Sequence, residues 1–411
     1  MDLFLYGIFA IYLGCGRVVL SSPWTYRCEA FAVLNLAAVF LAWFSGLNAP
    51  LYFSLYCGFV ALEYLAIRSL HRATDLRYAI AFFTPILFLI AVRYVPADWF
   101  AHLFPPLARK IEANPDFTWS AQFLGISYLA FRTSLLVVEI RNRIVEPPGF
   151  FNYLSFAFFL PTLPVGPISP YSLHAEGLGR KWTAPPVLRS LARVLLGAVK
   201  FNVFGPLLNQ LTYSGLILDG HSHPWTDLPV AAISYYLFLY CNFSGACDIA
   251  IGSAALMGIP VAENFDRPFL ARNLREFWNR WHITLSQFMR DIVFSPLSRY
   301  LIRVFGPRAA NHAIAASILV TFLLIGVWHG VGWHYAVFGA LCALGVAVNH
   351  YYTIFLKSYL GRDAFLKYNA SQSIRWVATA ATFFYFTASL FFFANDGDDI
   401  REILAAIRPS R

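Results

Sequence analysis

The chain has 411 residues, 58% of them hydrophobic and 13% charged, with a formal net charge of +9 and a mean hydropathy of +0.57. A soluble domain carries about a quarter charged residues, so this composition excludes a soluble enzyme and assigns most of the surface to lipid. Nucleic-acid binding would need a solvated basic face with aromatic platforms, and the sequence supplies none.

Apolar runs long enough to cross a roughly 30 Å hydrocarbon core, about 20 residues each, are predicted at 1–20, 30–46, 49–67, 78–95, 122–138, 188–211, 228–258, 312–328, 334–356 and 376–394. The first contains Asp2, has no basic n-region and no convincing cleavage site, so it is not read as a removable signal. The 96–121 connection reads as an interfacial helix in which Glu112 and Asp116 offset Arg109 and Lys110. The apolar run 150–170 is broken by Pro161, Pro164, Gly166 and Pro167. Irregular backbone is not tolerated against lipid, so this run is expected to re-enter among helices without crossing. The expected fold is an all-α polytopic membrane protein of about 10–11 transmembrane helices plus re-entrant and interfacial helices. It forms one transmembrane domain over 1–411, with no soluble domain.

Basic residues fall in alternate connections: Arg27; Arg68, Arg72 and Arg77; Arg141 and Arg143; Arg180 and Lys181; the 259–311 segment; and Lys357, Arg362, Lys367 and Arg375. The 212–227 connection holds Asp219 and Asp227 and no Lys or Arg. The positive-inside rule then makes the first group cytoplasmic and leaves both termini outside. Within 259–311, Phe277, Trp281, Leu285 and Phe288 recur at i, i+4, i+8 and i+11, which predicts an amphipathic helical face lying in the interface plane.

Two histidines each follow a tryptophan: Trp281-His282 inside that basic segment, and Trp328-His329-Gly330 where two spans nearly meet. A group that titrates near neutrality is costly at membrane depth without a partner or a task. O-acyl transfer is one such task, because a neutral imidazole can take the proton of an attacking hydroxyl. His329 is the candidate general base. His282 has a direct or an organising role. Other polar groups carry less. His221 and His223 with Asp219 form a weak metal pattern in an outer loop, and no metal site is expected. Asp248 reads as a helix-to-helix hydrogen-bonding group. Ser244 and Ser286 lack a nucleophile elbow. The six cysteines form no CxxC motif, which supports neither zinc nor a disulfide framework.

The run Asn264-Phe265-Asp266-Arg267-Pro268-Phe269, leading into Arg272-Asn273-Leu274-Arg275-Glu276-Phe277-Trp278-Asn279-Arg280-Trp281-His282, resembles the signature block of the membrane-bound O-acyltransferase (MBOAT) superfamily. Thr284-Leu285-Ser286 and Phe288-Met289-Arg290-Asp291 continue it, and Gly326-Val327-Trp328-His329-Gly330 with Trp333 resembles its second signature. Gly125-Ile126-Ser127-Tyr128 and Pro161-Thr162 through Gly166-Pro167-Ile168 are similar to two shorter elements upstream. The resemblance runs from 122 to 350, leaving 1–121 as helices without motifs and 351–411 as C-terminal helices. It is to the bacterial branch that D-alanylates teichoic acid or acetylates alginate, and nearest the D-alanyl type.

That resemblance implies a ring of helices with a thin centre and a tunnel. It implies a thioester donor (a phosphopantetheine carrier protein or acyl-CoA) at the cytoplasmic face and an envelope-polymer hydroxyl outside, with no tightly bound cofactor. Partner proteins of the same modification system are also implied. His329 and His282 carry over as the family histidines. Trp281, Trp328, Asn279, Arg280, Arg272, Arg275, Ser286 and Asp291 are the candidates for lining the tunnel and docking the donor. Two readings from other classes stand beside this one: a transporter or flippase for an envelope glycan precursor, and a non-catalytic scaffold of an export complex. The first would commonly show two related halves, and no internal repeat is visible.

Overall fold

The computed structural model describes residues 3–44, 49–71, 73–95, 125–180, 186–218 and 224–407. Each predicted apolar run is helical over nearly all of its described part. Among the described residues six helices are long and apolar enough to cross a membrane: Asp75–Tyr94, Val187–Leu216, Trp225–Leu256, Pro307–His329, Trp333–Ala370 and Gln372–Ala394. The expected count of 10–11 exceeds this partly because two predicted spans form helices of only 17 and 16 residues. At 1.5 Å per residue these rise about 24–26 Å, short of a roughly 30 Å core. The expected interfacial helix at 96–121 and the histidine pair at 221 and 223 lie outside the described residues.

The chain packs as two compact units, 1–197 with 246–262 and 198–245 with 263–411. These boundaries differ from those drawn on motif content, because packing follows which helices touch and motifs follow chemistry. The first unit contains α1 (Leu3–Ser21), α2 (Arg27–Trp43), α3 (Ala49–Arg68), α4 (Asp75–Tyr94), α5 (Ile126–Arg141), α6 (Phe150–Ala157), α7 (Tyr171–Gly179) and most of α8 (Val187–Val199). The proline-broken stretch between α6 and α7 is buried except around Val165 and is held by polar side chains. The Asn35 Oδ1 atom accepts from the Leu160 amide at 3.2 Å and from the Tyr12 hydroxyl at 2.8 Å. Arg132 donates to the Thr162 hydroxyl at 3.1 Å and to the Phe156 carbonyl. Glu139 accepts from the amides of Tyr171 and Ser172, which open α7.

Gly125 sits at φ +67, and a Cβ there would lie 1.9 Å from the Leu163 carbonyl oxygen, so only glycine lets α5 start against this stretch. The expected re-entrant run is thus a broken segment in which the amides of Phe158, Phe159, Leu160, Thr162, Leu163 and Ser169 bond to protein acceptors. Asp248, on α9 (Pro224–Leu256), accepts from Arg193 of α8 at 3.0 Å, the helix-to-helix role read for it.

The second unit takes α9 as far as Gly245, then α10 (Leu274–Trp278), α11 (Ile283–Met289), α12 (Ser295–Phe305), α13 (Ala310–His329), α14 (Trp333–Ala370), α15 (Gln372–Ala394) and α16 (Gly397–Ile407). Lipid tails are as apolar as leucine, so these helices are held by close packing and not by exclusion of water. At the α13–α14 hairpin a Cβ on Gly326 would lie 2.3 Å from the Tyr335 carbonyl oxygen, and one on Gly339 would lie 2.4 Å from that of Phe322. The core gathers around Tyr236, whose ring meets Phe269, Phe277, Trp281, Phe383 and Phe386 at 5.1–6.4 Å. Aromatic pairs at such spacing contribute about 0.5–1.5 kcal/mol each beyond burial. Within α14, Gly361 (φ +72) ends one helix and starts another.

Candidate active site

The 277–288 stretch is not the continuous amphipathic helix that its periodicity predicts. Its four apolar residues are buried as expected, but α10 ends at Trp278 and α11 begins at Ile283. Between them the chain pairs antiparallel with the motif's first half: Phe265 bridges Trp281, the Asp266 amide donates to the Arg280 carbonyl at 2.9 Å, and the Ile283 amide donates to that of Asn264 at 3.0 Å. The two segments leave this pairing through left-handed residues, Arg267 (φ +47) and His282 (φ +44). For a non-glycine residue that conformation costs on the order of 1–3 kcal/mol and persists only where surrounding contacts over-determine it.

Asn264 supplies those contacts. It is fully buried, and its Oδ1 accepts from the Thr284 amide (3.2 Å) and the Thr284 hydroxyl (2.9 Å), with His282 Nδ1 at 3.2 Å. A backbone amide can only donate, so the Asn264 atom is an acceptor and Nδ1 carries the imidazole proton. The lone pair of neutral His282 therefore sits on Nε2. Burial, and secondarily charge on His329, push its pKa down to about 3. His282 is a neutral hydrogen-bonding group and, with so low a pKa, a weak proton acceptor near pH 7. Its ring packs edge-on against Phe243 at 4.7 Å.

His329 is the last residue of α13 and only half-buried. Gly330 is required beside it by space alone: a Cβ would lie 2.0 Å from the Tyr335 ring. The His329 ring meets Trp328 at 4.6 Å, Phe393 at 4.8 Å, and Phe338 and Tyr335 at 6.3 and 6.5 Å. Trp328 also lies 6.4 Å from the His282 ring. The two histidines, 47 positions apart in sequence, thus flank one indole.

The other predicted residues divide. Trp281 is packed among Phe277, Phe265, Tyr236 and Phe386, a core position. Arg280 pairs with Glu276 at 2.9 Å and donates to the Asp266 carbonyl, so it ties α10 to the ladder. Asn279 and Arg275 are exposed, and Asp291 pairs with its neighbour Arg290. Ser286 makes a long bond of 3.4 Å to the Trp281 carbonyl. Arg272 turns to a separate cavity on α14 and α15. Asn264 opens the motif block and is not among the residues that the sequence marks as candidates. Its burial and three donors are invisible in sequence, where an asparagine before an apolar residue reads as a turn. Trp278 Nε1 is also buried without a hydrogen-bond partner among the described residues.

The sequence matches the profile of the MBOAT, membrane-bound O-acyltransferase family over residues 86–392. Its relatives include a teichoic acid D-alanyltransferase of Streptococcus thermophilus, 33% identical over 61% of this chain and 62% of the relative. A probable alginate O-acetylase of Pseudomonas aeruginosa is 29% identical over 55% of this chain and 42% of the relative. A peptidoglycan O-acetyltransferase of Helicobacter pylori is 29% identical over 54% and 44%. The chain therefore spans less than two thirds of the length of each of these three.

Proposed function

The chain belongs to the membrane-bound O-acyltransferase family, and we propose that it moves a D-alanyl or acetyl group from a cytoplasmic thioester to a hydroxyl of an extracytoplasmic envelope polymer, such as a teichoic acid or exopolysaccharide. The donor is a phosphopantetheine carrier protein or acyl-CoA, and the shorter helices, crossing where the bilayer is thinned, complete ten to eleven crossings around a tunnel. The observation that carries this reading is the half-buried imidazole of His329 in an aromatic surround, sharing Trp328 with a second, neutral imidazole.

In the reaction His329 takes the proton of the acceptor hydroxyl as that oxygen attacks the thioester carbonyl. The carbon–sulfur bond then breaks, and the thiolate leaves with the proton returned by the imidazolium. A positioned base of this kind contributes roughly 10²–10⁴-fold. His282, with Nδ1 bound to Asn264, offers Nε2 as an acceptor that orients the donor arm or the hydroxyl. Arg275 attracts the negatively charged donor to the cytoplasmic mouth, and Arg280 shapes that mouth through Glu276.

Replacing His329 by Ala tests the reading. We expect normal membrane insertion and loss of ester from purified envelope glycan. Wild-type ester in a well-expressed His329→Ala strain would remove His329 from the chemistry. Loss of assembly without loss of turnover would favour the scaffold.

A further inference from the structure

The second unit holds a cavity of about 620 Å³ between α14 and α15, roofed by the start of α10, which the acyl-transfer reading does not use. Its volume lies in the range of ligand sites. Its walls are aliphatic, with Leu344, Val348, Val377, Ala378 and Ala381 among them. Its floor is closed where Gly345 admits Leu274 and Tyr385, whose hydroxyl is bound to the Leu341 carbonyl at 2.7 Å. Arg272 stands at the lining, half-buried, with no hydrogen bond or ion pair from its guanidinium among the described residues. Asn349, Tyr352, Tyr368 and Ser373 add polar groups to the same lining.

An apolar groove in a bilayer fills with the solvent at hand, which is an acyl chain. A half-buried guanidinium without an acid needs an anion, and its planar fork matches phosphate. We propose that this groove binds one anionic phospholipid, its chain along the α14–α15 walls and its phosphate on Arg272. A zwitterionic headgroup fits less well, because its own cation would face Arg272 and the basic residues Lys367 and Arg375, which close α14 and open α15. Those basic residues also enrich anionic lipid nearby. The site is independent of His329 and stands whether or not acyl transfer does.

The test is native mass spectrometry of the full chain taken from vesicles of equimolar phosphatidylglycerol and phosphatidylcholine. The expected result is retained phosphatidylglycerol in the wild type and in His329→Ala. Arg272→Gln should lower the preference about fivefold, the scale of one basic residue at an anionic surface. Ala381→Trp, which fills the groove from an exposed position, should lose bound lipid of either kind while unfolding at the wild-type temperature. An unchanged preference in Arg272→Gln, or retained lipid in Ala381→Trp, would overturn the proposal. So would displacement of the lipid by coenzyme A or inorganic phosphate, which would assign Arg272 to a soluble ligand.

Discussion

Asn264→Ala is the most searching perturbation of the ladder that holds His282. The wild-type oxygen receives the Thr284 amide, the Thr284 hydroxyl and His282 Nδ1, all at 2.9–3.2 Å and fully buried. Each buried donor left without an acceptor costs about 1–3 kcal/mol. The Thr284 hydroxyl can rotate elsewhere, but the amide and the imidazole cannot. A loss of about 3 kcal/mol follows, and with it goes the constraint that keeps His282 at positive φ. Thermal unfolding in detergent should show a lower midpoint, and ester content of the envelope glycan should fall with it. Asn264→Asp keeps an acceptor in place and places a carboxylate beside the imidazole, raising its pKa. This variant should retain more stability than the alanine and should tolerate acid better than the wild type. If Asn264→Ala unfolds at the wild-type temperature and keeps full activity, the reasoning from the ladder to His282 is wrong.

Acid should destabilise the protein through its buried histidines. His282 and His174 have folded pKa values of about 3 against an ordinary 6.5, each lowered first by burial. Below pH 6.5 the unfolded chain takes up protons that the folded chain refuses, so stability falls as pH drops from 6.5 toward 3. At pH 5 the loss is about 2 kcal/mol per histidine. His282→Gln should flatten the pH dependence of the unfolding midpoint, and an unchanged slope would refute the assignment. Arg275→Glu should weaken donor binding, increasingly so at low salt, whereas Arg280→Gln should lower stability without that salt dependence. Equal salt-dependent losses from both would return Arg280 to the docking face. On a background lacking the six native cysteines, single cysteines at 68–77 and 357–375 should label from the cytoplasm and those at 212–227 from outside. The opposite pattern would invert the orientation.

Composition and run length alone determine that this is a helical membrane protein, because the cost of exposing apolar surface or unsatisfied backbone leaves few other outcomes. The Trp-His pairs and their surrounding motifs single out the two histidines proposed for the chemistry, because a lipid-facing chain otherwise avoids such residue types. Periodicity misled at 277–288, where every apolar residue is buried yet the chain is broken: burial pattern records which residues face inward, not whether one helix carries them. The pairing of 264–266 with 280–283, the proton on His282 Nδ1 and the capture of Arg280 by Glu276 were settled by tertiary contacts. These depend on which donors and acceptors meet after folding, and a pattern along one strand of sequence contains no term for groups that approach from another.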